Sequence, residues 1–417
     1  MMRWSGRTVG AGIVMATTVA GLVAQGQEAP PKVSDQARAI LASGLLIDGH
    51  NDLPWEIRKK SSDFAKYDIA KRLDFGHTDI PRLREGGLKA QFWSVWIPGT
   101  HDNPARTVLE QIDLVHRMIA QYPDDFALAL SADDIERATK EGKIAGLIGM
   151  EGGVAIENSL AVLRDFYRLG VRYMTLTHNE TIDWADAATD DAKHDGLTAF
   201  GEQVVREMNR LGMLVDISHV SPATMADVMR VTKAPVIASH SNAKALCPSP
   251  RNVPDEILAL LPANGGVVMV NFYSAFVDGP TALKVIEARK AARAANPDPA
   301  AYRKAMSKWF DENPTPSATV FQLADHIDHI VKVAGIDHVG IGSDFDGIDS
   351  APVGLEDVSK YPVLVQVLLD RGYSESDIHK VLGGNVLRAF RKAGAVAAEL
   401  QKTTRPELDA PAVEPKS

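Results

Sequence analysis

Eight short apolar runs, with amphipathic stretches between them, restrict the fold of this chain more than any other feature. They are GLLIDGH (44–50), LKAQFWSVW (88–96), KIAGLIGME (143–151), RYMTLTH (172–178), MLVDISH (213–219), PVIASH (235–240), GVVMVNF (266–272) and HVGIGSD (338–344). Runs of this length bounded by turn residues read as buried strands. Stretches such as RTVLEQIDLVHRMIAQY, ENSLAVLRDFYRLG and GLTAFGEQVVREMNRLG carry apolar residues at three- and four-residue spacing, the mark of a helix with one core-facing stripe. Strands alternating with helices predict a parallel sheet. Eight such units predict a closed α/β barrel of the (β/α)8, TIM type. The 417 residues accommodate a barrel of about 250 residues as one domain with insertions. Residues 278–318, after the seventh strand, are too long for an ordinary loop and read as a charged helical insertion, a lid or a subunit contact.

Six of the eight runs end in residues fit for metal binding or catalysis: His50 with Asp52, Glu151, His178, His219, His240 and Asp344. In a (β/α)8 barrel these ends converge on the face where active sites are built. Residues i and i+2 on a strand face the same way, so His50 and Asp52 are expected to project together and hold one cation. His219 and His240, on neighbouring strands, could share a second ion, and Glu151 has two oxygens with which to bridge the pair. Imidazole and carboxylate ligands suit zinc, which keeps a place open for water in catalytic sites. Two ions ~3.5–4 Å apart can hold a hydroxide and polarise a carbonyl as it is attacked. Taken singly, each residue has a blander reading. A histidine ending a strand is more often a hydrogen-bonded core residue, and Glu151 in GMEGG could cap a helix. The coincidence of five such residues at strand ends decides for a metal site. His326 and His329, spaced i, i+3 on a helix, read as surface or packing residues, and His338 faces the opposite end of the barrel.

Net charge is −9, which disfavours a nucleic-acid partner, since the phosphate backbone needs a basic face. Arg3 and Arg7 precede an apolar, small-residue run that turns polar at QGQEAPPK, the pattern of a secretory signal peptide over residues 1–26, cleaved after Ala24 or Gly26. An exported, periplasmic or secreted protein with no stable membrane anchor after processing is expected. The single cysteine, Cys247, allows no intrachain disulfide and reads as packing. The catalytic domain is expected over 27–394, followed by a polar tail at 395–417.

The motifs DGHNDLPW, GMEGG, TLTHN, DISHVS, ASHSNAKALCPSPRNVPDE and GIGSDFDGI, in this order, resemble the membrane (renal) dipeptidase family of zinc peptidases over about residues 40–392. That resemblance implies a (β/α)8 barrel with two zinc ions per chain. His50 and Asp52 would bind one ion and His219 and His240 the other, with Glu151 bridging. It further implies that His178 contacts the substrate carbonyl and developing oxyanion, Arg251 binds substrate, and Asp344 shuttles the proton. Asp346, two residues on, shares the facing of Asp344 on an extended strand, so both carboxylates stay in contention. Mammalian members are glycolipid-anchored and disulfide-linked. The polar C-terminal residues and lone cysteine here match a soluble bacterial type instead. Family members are commonly dimers, so a homodimer is expected. The resemblance further implies that the insertion is longer than in mammalian relatives and flanks the barrel mouth, where it bears on substrate preference.

The reading is therefore a zinc-dependent dipeptidase acting on small dipeptides with a free C-terminus, held by Arg251 through a bidentate ion pair, with D-residues accepted at that end. Two alternatives use the same residues: a binuclear amidohydrolase acting on N-acyl amino acids or β-lactams, and an inactive binding protein on the same scaffold.

Overall fold

A computed structural model describes residues 28–98, 101–296 and 298–408; the expected signal peptide lies outside them. Nine parallel strands form: β1 (Ile47–Asn51), β2 (Ala90–Trp96), β3 (Phe126–Leu128), β4 (Ile144–Glu151), β5 (Val171–Thr175), β6 (Leu214–Asp216), β7 (Val236–Ala238), β8 (Val267–Val270) and β9 (Val339–Ile341). Each of the eight apolar runs matches one strand, which oversteps the run's bounds by no more than one residue. The sheet runs β2-β1-β9-β8-β7-β6-β5-β4, and pairing of β2 with β4 from Ala90↔Ala145 to Trp96↔Glu151 closes it into an eight-stranded barrel. The extra strand, β3, lies outside the ring and pairs only with the first residues of β4.

Alternation along the strands sorts the core into two layers. Ile47, Phe92, Leu147, Tyr173, Leu214, Ile237 and Met269 fill the barrel interior, while Trp93, Ile148, Met174, Val215, Val268 and Ile341 face the surrounding helices. The helices begin where the sequence supplies a capping oxygen: Ser159 before Leu160–Arg168, Thr198 before Ala199–Leu211, Ser221 before Pro222–Val231. Thr319 and Gln322 form a reciprocal capping box for Val320–Ala334.

One feature differs from the sequence reading. The last helix, Asn385–Thr403, continues past the expected domain end at 394. Its Val386, Ala389, Phe390 and Ala393, at helical spacing, join the barrel-interior cluster, with Phe390 6.3 Å from the ring of Phe92. Burying one such side chain contributes roughly 1.5–3 kcal/mol, so this segment belongs to the core. The 278–318 insertion does form helices, Gly279–Ala295 and Pro299–Glu312, and these stand over the mouth of the barrel, where Arg289 and Phe310 line the central cavity. Among the described residues, no helix is long and apolar enough to cross a membrane.

Candidate active site

The C-terminal ends of the strands bring His50, Asp52, Glu151, His178, His219, His240, Arg251 and Asp344 to one region of the barrel mouth. Of these, only His50 and Glu151 lie within strands; the four residues expected at strand ends, His178, His219, His240 and Asp344, sit two or three positions beyond. His219 (φ 67°) and Asp344 (φ 66°) adopt left-handed backbone, which costs on the order of 1 kcal/mol for a non-glycine residue. Such strain persists where neighbours fix the chain. Here the amide of Asp344 donates to the His50 carbonyl (3.1 Å), and the His219 carbonyl accepts from Ala188 (2.7 Å). The expected reason for pairing His50 with Asp52 also needs correction. The β1 register breaks between Asp48 and Asn51, and Asp52 caps the helix Leu53–Lys59 instead of extending the strand. The turn, not strand alternation, places Asp52 Oδ2 3.4 Å from His50 Nε2.

Three overlapping donor groups result, one of them His50, His240 and Asp344, and the other two match the expected ligand sets. Of those two, His50, Asp52 and Glu151 form one; Glu151, His219 and His240 form the other, each with its ligand atoms within 4.8 Å of one another. Glu151 Oε2 lies 3.4 Å from His50 Nε2, while Oε1 lies 2.8 Å from His219 Nε2 and 3.4 Å from His240 Nε2. The carboxylate thus reaches both groups, one oxygen to each. Among the described residues the Nε2 of buried His50 has no hydrogen-bond partner, which is costly unless something electropositive sits against it. The local field is negative and attracts such a group. Burial opposes charge on His50, but Tyr173, Glu151 and Asp52 outweigh it and raise its pKa well above normal. Burial likewise opposes charge on Glu151, yet His50, His219 and His240 hold it well below the usual carboxylate range. A carboxylate shared between a His–Asp pair and a His–His pair fits cations of the zinc type.

Residues the sequence reading missed fix these ligands. The Tyr173 hydroxyl donates to the Gly49 carbonyl (3.0 Å) and so accepts from His50 Nδ1 (2.7 Å), leaving the Nε2 lone pair to face the site. Gly149 makes this possible, because a Cβ there would stand 2.1 Å from the Tyr173 ring. Ser239 donates to Asp216 (2.6 Å) and accepts from His240 Nδ1 (2.7 Å), which fixes the same tautomer. Asp216 also takes the amides of Ser218 and Ser239, while Asp48 takes those of His50 and Ser343. The one sequence signal is a repeated pattern, an aspartate shortly before the histidine in IDGH and VDISH.

Three further residues line a cavity of about 540 Å³ above the cluster, a volume usual for small-molecule sites. His178 Nε2 lies 3.9 Å from Glu151, its ring meets Trp96 edge-on at 5.2 Å, and its Nδ1 has no hydrogen-bond partner among the described residues. Arg251 is 2% exposed; its guanidinium lies over Phe276 at 5.2 Å, 3.4 Å from the Ser241 hydroxyl. Among the described residues no carboxylate lies within ion-pair distance of it, and burial lowers its pKa to about 10. Asp344 has one oxygen 4.0 Å from His50 Nε2 and the other held by Asn271 (2.8 Å); burial raises its pKa to about 8. Asp346 is turned to the neighbouring loop, where it accepts from the His77 amide (2.7 Å) while its own amide donates to His77 Nδ1 (2.9 Å).

The remaining histidines hold structure. His326 bridges Ala243 and Val277, His329 meets Asp255, and His338 meets Gly266. Cys247 is buried, and that burial pushes its thiol up to about 11.

Residues 34–404 match the family model described as membrane dipeptidase, peptidase family M19. The chain belongs to this family. It is a metallodipeptidase, a hydrolase of peptide bonds. Solved structures agree in fold and extent. A probable dipeptidase, PvdM, from Pseudomonas aeruginosa is 26% identical, with 87% of this chain and 98% of that chain covered and a TM-score of 0.77. A family M19 metallopeptidase, dipeptidase AC, is 25% identical over 84% and 99%, with a TM-score of 0.70. A metallopeptidase from Rhodobacter sphaeroides, liganded with a phosphinate mimic of the dipeptide L-Ala-D-Ala, is 25% identical over 84% and 99%, with a TM-score of 0.69.

Proposed function

We propose that this membrane-dipeptidase-family enzyme uses two zinc ions to hydrolyse dipeptides with a free C-terminal carboxylate, accepting a D-residue at that end. The observation that carries the proposal is Arg251, a buried guanidinium without a carboxylate partner that lines the same cavity as the ligand cluster. A buried cation of this kind is matched by a substrate carboxylate, which arginine binds through two parallel hydrogen bonds. Acceptance of a D-residue is supported by the L-Ala-D-Ala mimic bound to the Rhodobacter relative.

His50 and Asp52 would hold one ion, His219 and His240 the other, with Glu151 contributing to both. When bound, such ions supply a water nucleophile usable at neutral pH and Lewis acidity toward the amide carbonyl. The chain's own residues then do the rest. Arg251 anchors the C-terminus and so fixes where the scissile amide lies. His178, on the cavity wall beside Glu151, is placed to donate a hydrogen bond to the oxygen that gains charge as the carbonyl becomes tetrahedral. Asp344, steadied by Asn271 and kept ionised when cations occupy the neighbouring ligands, accepts a proton from the attacking water and returns it to the leaving nitrogen. Its position beside His50 favours it over Asp346, which is engaged with His77. The test is Arg251→Met assayed on Ala-Ala and on its C-terminal amide. The free dipeptide should lose far more kcat/KM than the amide; equal loss on both removes Arg251 from carboxylate recognition.

A further inference from the structure

The helical insertion brings a second guanidinium to the cavity that the dipeptidase chemistry does not use. Arg289 lies on the helix Gly279–Ala295 and shares a cavity wall with Arg251, Tyr273, Phe276 and Phe310. The helix is tied down on both sides of it. Asp278 caps its first turn through Thr281 (2.9 Å) and accepts from Gln322 (3.1 Å), and Arg293 donates to Asp190 across the mouth (2.7 Å). Arg293, one turn beyond Arg289, also stacks on Tyr302 at 4.1 Å. Arg293 therefore has its partners. Arg289 has no hydrogen-bond or ion-pair partner among the described residues.

The charge around the cavity is divided. Glu56, Asp346 and Asp349 line it together with the carboxylates of the ligand cluster. Its lining cations are Lys59, Arg251 and Arg289, and Lys59 is paired with Glu56. Two guanidinium groups without an ion-pair partner among the described residues thus share one wall. Burial lowers the pKa of Arg251, Asp344, Glu151 and Asp216 oppose that drop, and Arg289 is close enough to add a smaller push in the same direction as burial. Two like charges in a sheltered cavity repel, and an occupant with two negative groups at one end relieves both. A neutral dipeptide offers one, its terminal carboxylate. A dipeptide ending in aspartate or glutamate offers two.

We infer that Arg289 is a specificity-determining residue that binds the side-chain carboxylate of the substrate's C-terminal residue, so that dipeptides ending in an acidic residue are the favoured substrates. The inference rests on the dipeptidase reading and on Arg251 taking the terminal carboxylate. A charge-assisted contact is worth about 1.5–3 kcal/mol, so the acidic ligand should be preferred over its neutral isostere by about tenfold to a hundredfold.

The experiment compares Ala-Glu with Ala-Gln on the metal-loaded enzyme, by kcat/KM and by the affinity of free glutamate against glutamine in calorimetry. Both ratios should favour the acid in the unaltered enzyme, collapse toward unity in Arg289→Met, and largely return in Arg289→Lys, which keeps the charge and controls for folding. Ratios near unity in the unaltered enzyme, or ratios unchanged in Arg289→Met, overturn the assignment even if both dipeptides are hydrolysed. Charge-selective binding that depends on Arg289 without cleavage of either dipeptide would uphold it and overturn the dipeptide substrate reading instead.

Discussion

Replacing Tyr173 by phenylalanine removes one oxygen from the barrel interior and should weaken one metal position. That oxygen accepts from His50 Nδ1 at 2.7 Å and donates to the Gly49 carbonyl at 3.0 Å, and all three groups are buried. The substitution leaves the ring in place, so little packing is lost. It strands one donor and one acceptor, each costing about 1–3 kcal/mol when unsatisfied, so stability should fall by roughly 2–6 kcal/mol. It also frees the His50 ring to change tautomer or rotate. Loss of such a partner behind a ligating histidine lowers metal affinity about tenfold to a hundredfold. Zinc titration against a chromogenic chelator reads this directly: one of two equivalents should weaken by that factor. Destabilisation with both equivalents at unaltered affinity would refute the argument and reduce Tyr173 to a packing residue.

Asp344→Asn should lower kcat by about a hundredfold or more while Asp346→Asn changes it little, since only Asp344 adjoins His50; the reverse order would assign the proton to Asp346. His326 offers a pH test away from the site: burial lowers its pKa from 6.5 to about 4. The unfolded chain therefore takes up the proton first, and stability present above pH 6.5 is lost as pH falls toward 4. Between pH 7.5 and 5 the protein should lose about 2 kcal/mol more than a His326→Gln variant in urea unfolding, and parallel losses would contradict the burial argument.

The barrel was legible because its strands are short apolar runs with helices of clear period between them, and the site because five ligand residues fall at or just beyond the ends of those runs. What escaped is informative. β3, Phe126–Leu128, pairs outside the ring, and its run FALAL ends in no ligand-type residue that would single it out. The final helix presents its apolar side chains among alanines and charged residues, so Val386 and Phe390 do not announce that they belong to the barrel-interior cluster. Tyr173 and Ser239 look like ordinary strand residues, because their role depends on partners brought in by the fold; His50 and Tyr173 are 123 positions apart. The left-handed backbone at His219 and Asp344 carries no sequence mark, since each occupies a position where glycine would be easier. Arg289 was hidden within a charged helix where an arginine reads as solvated surface, and only its place over the cavity distinguishes it from Arg293.

The central claim is that the His50–Asp52–Glu151 and Glu151–His219–His240 groups hold two ions that together support dipeptide hydrolysis. It is tested most directly by stripping the protein with a chelator and following L-Ala-D-Ala and L-Ala-L-Ala cleavage as zinc is returned in fractions of an equivalent, with N-acetylalanine alongside. The account predicts no turnover in the stripped protein, full dipeptide turnover only as the second equivalent binds, and none of the acylated amino acid. Full activity without metal would contradict the two-ion site. Turnover of N-acetylalanine in place of either dipeptide would contradict the substrate.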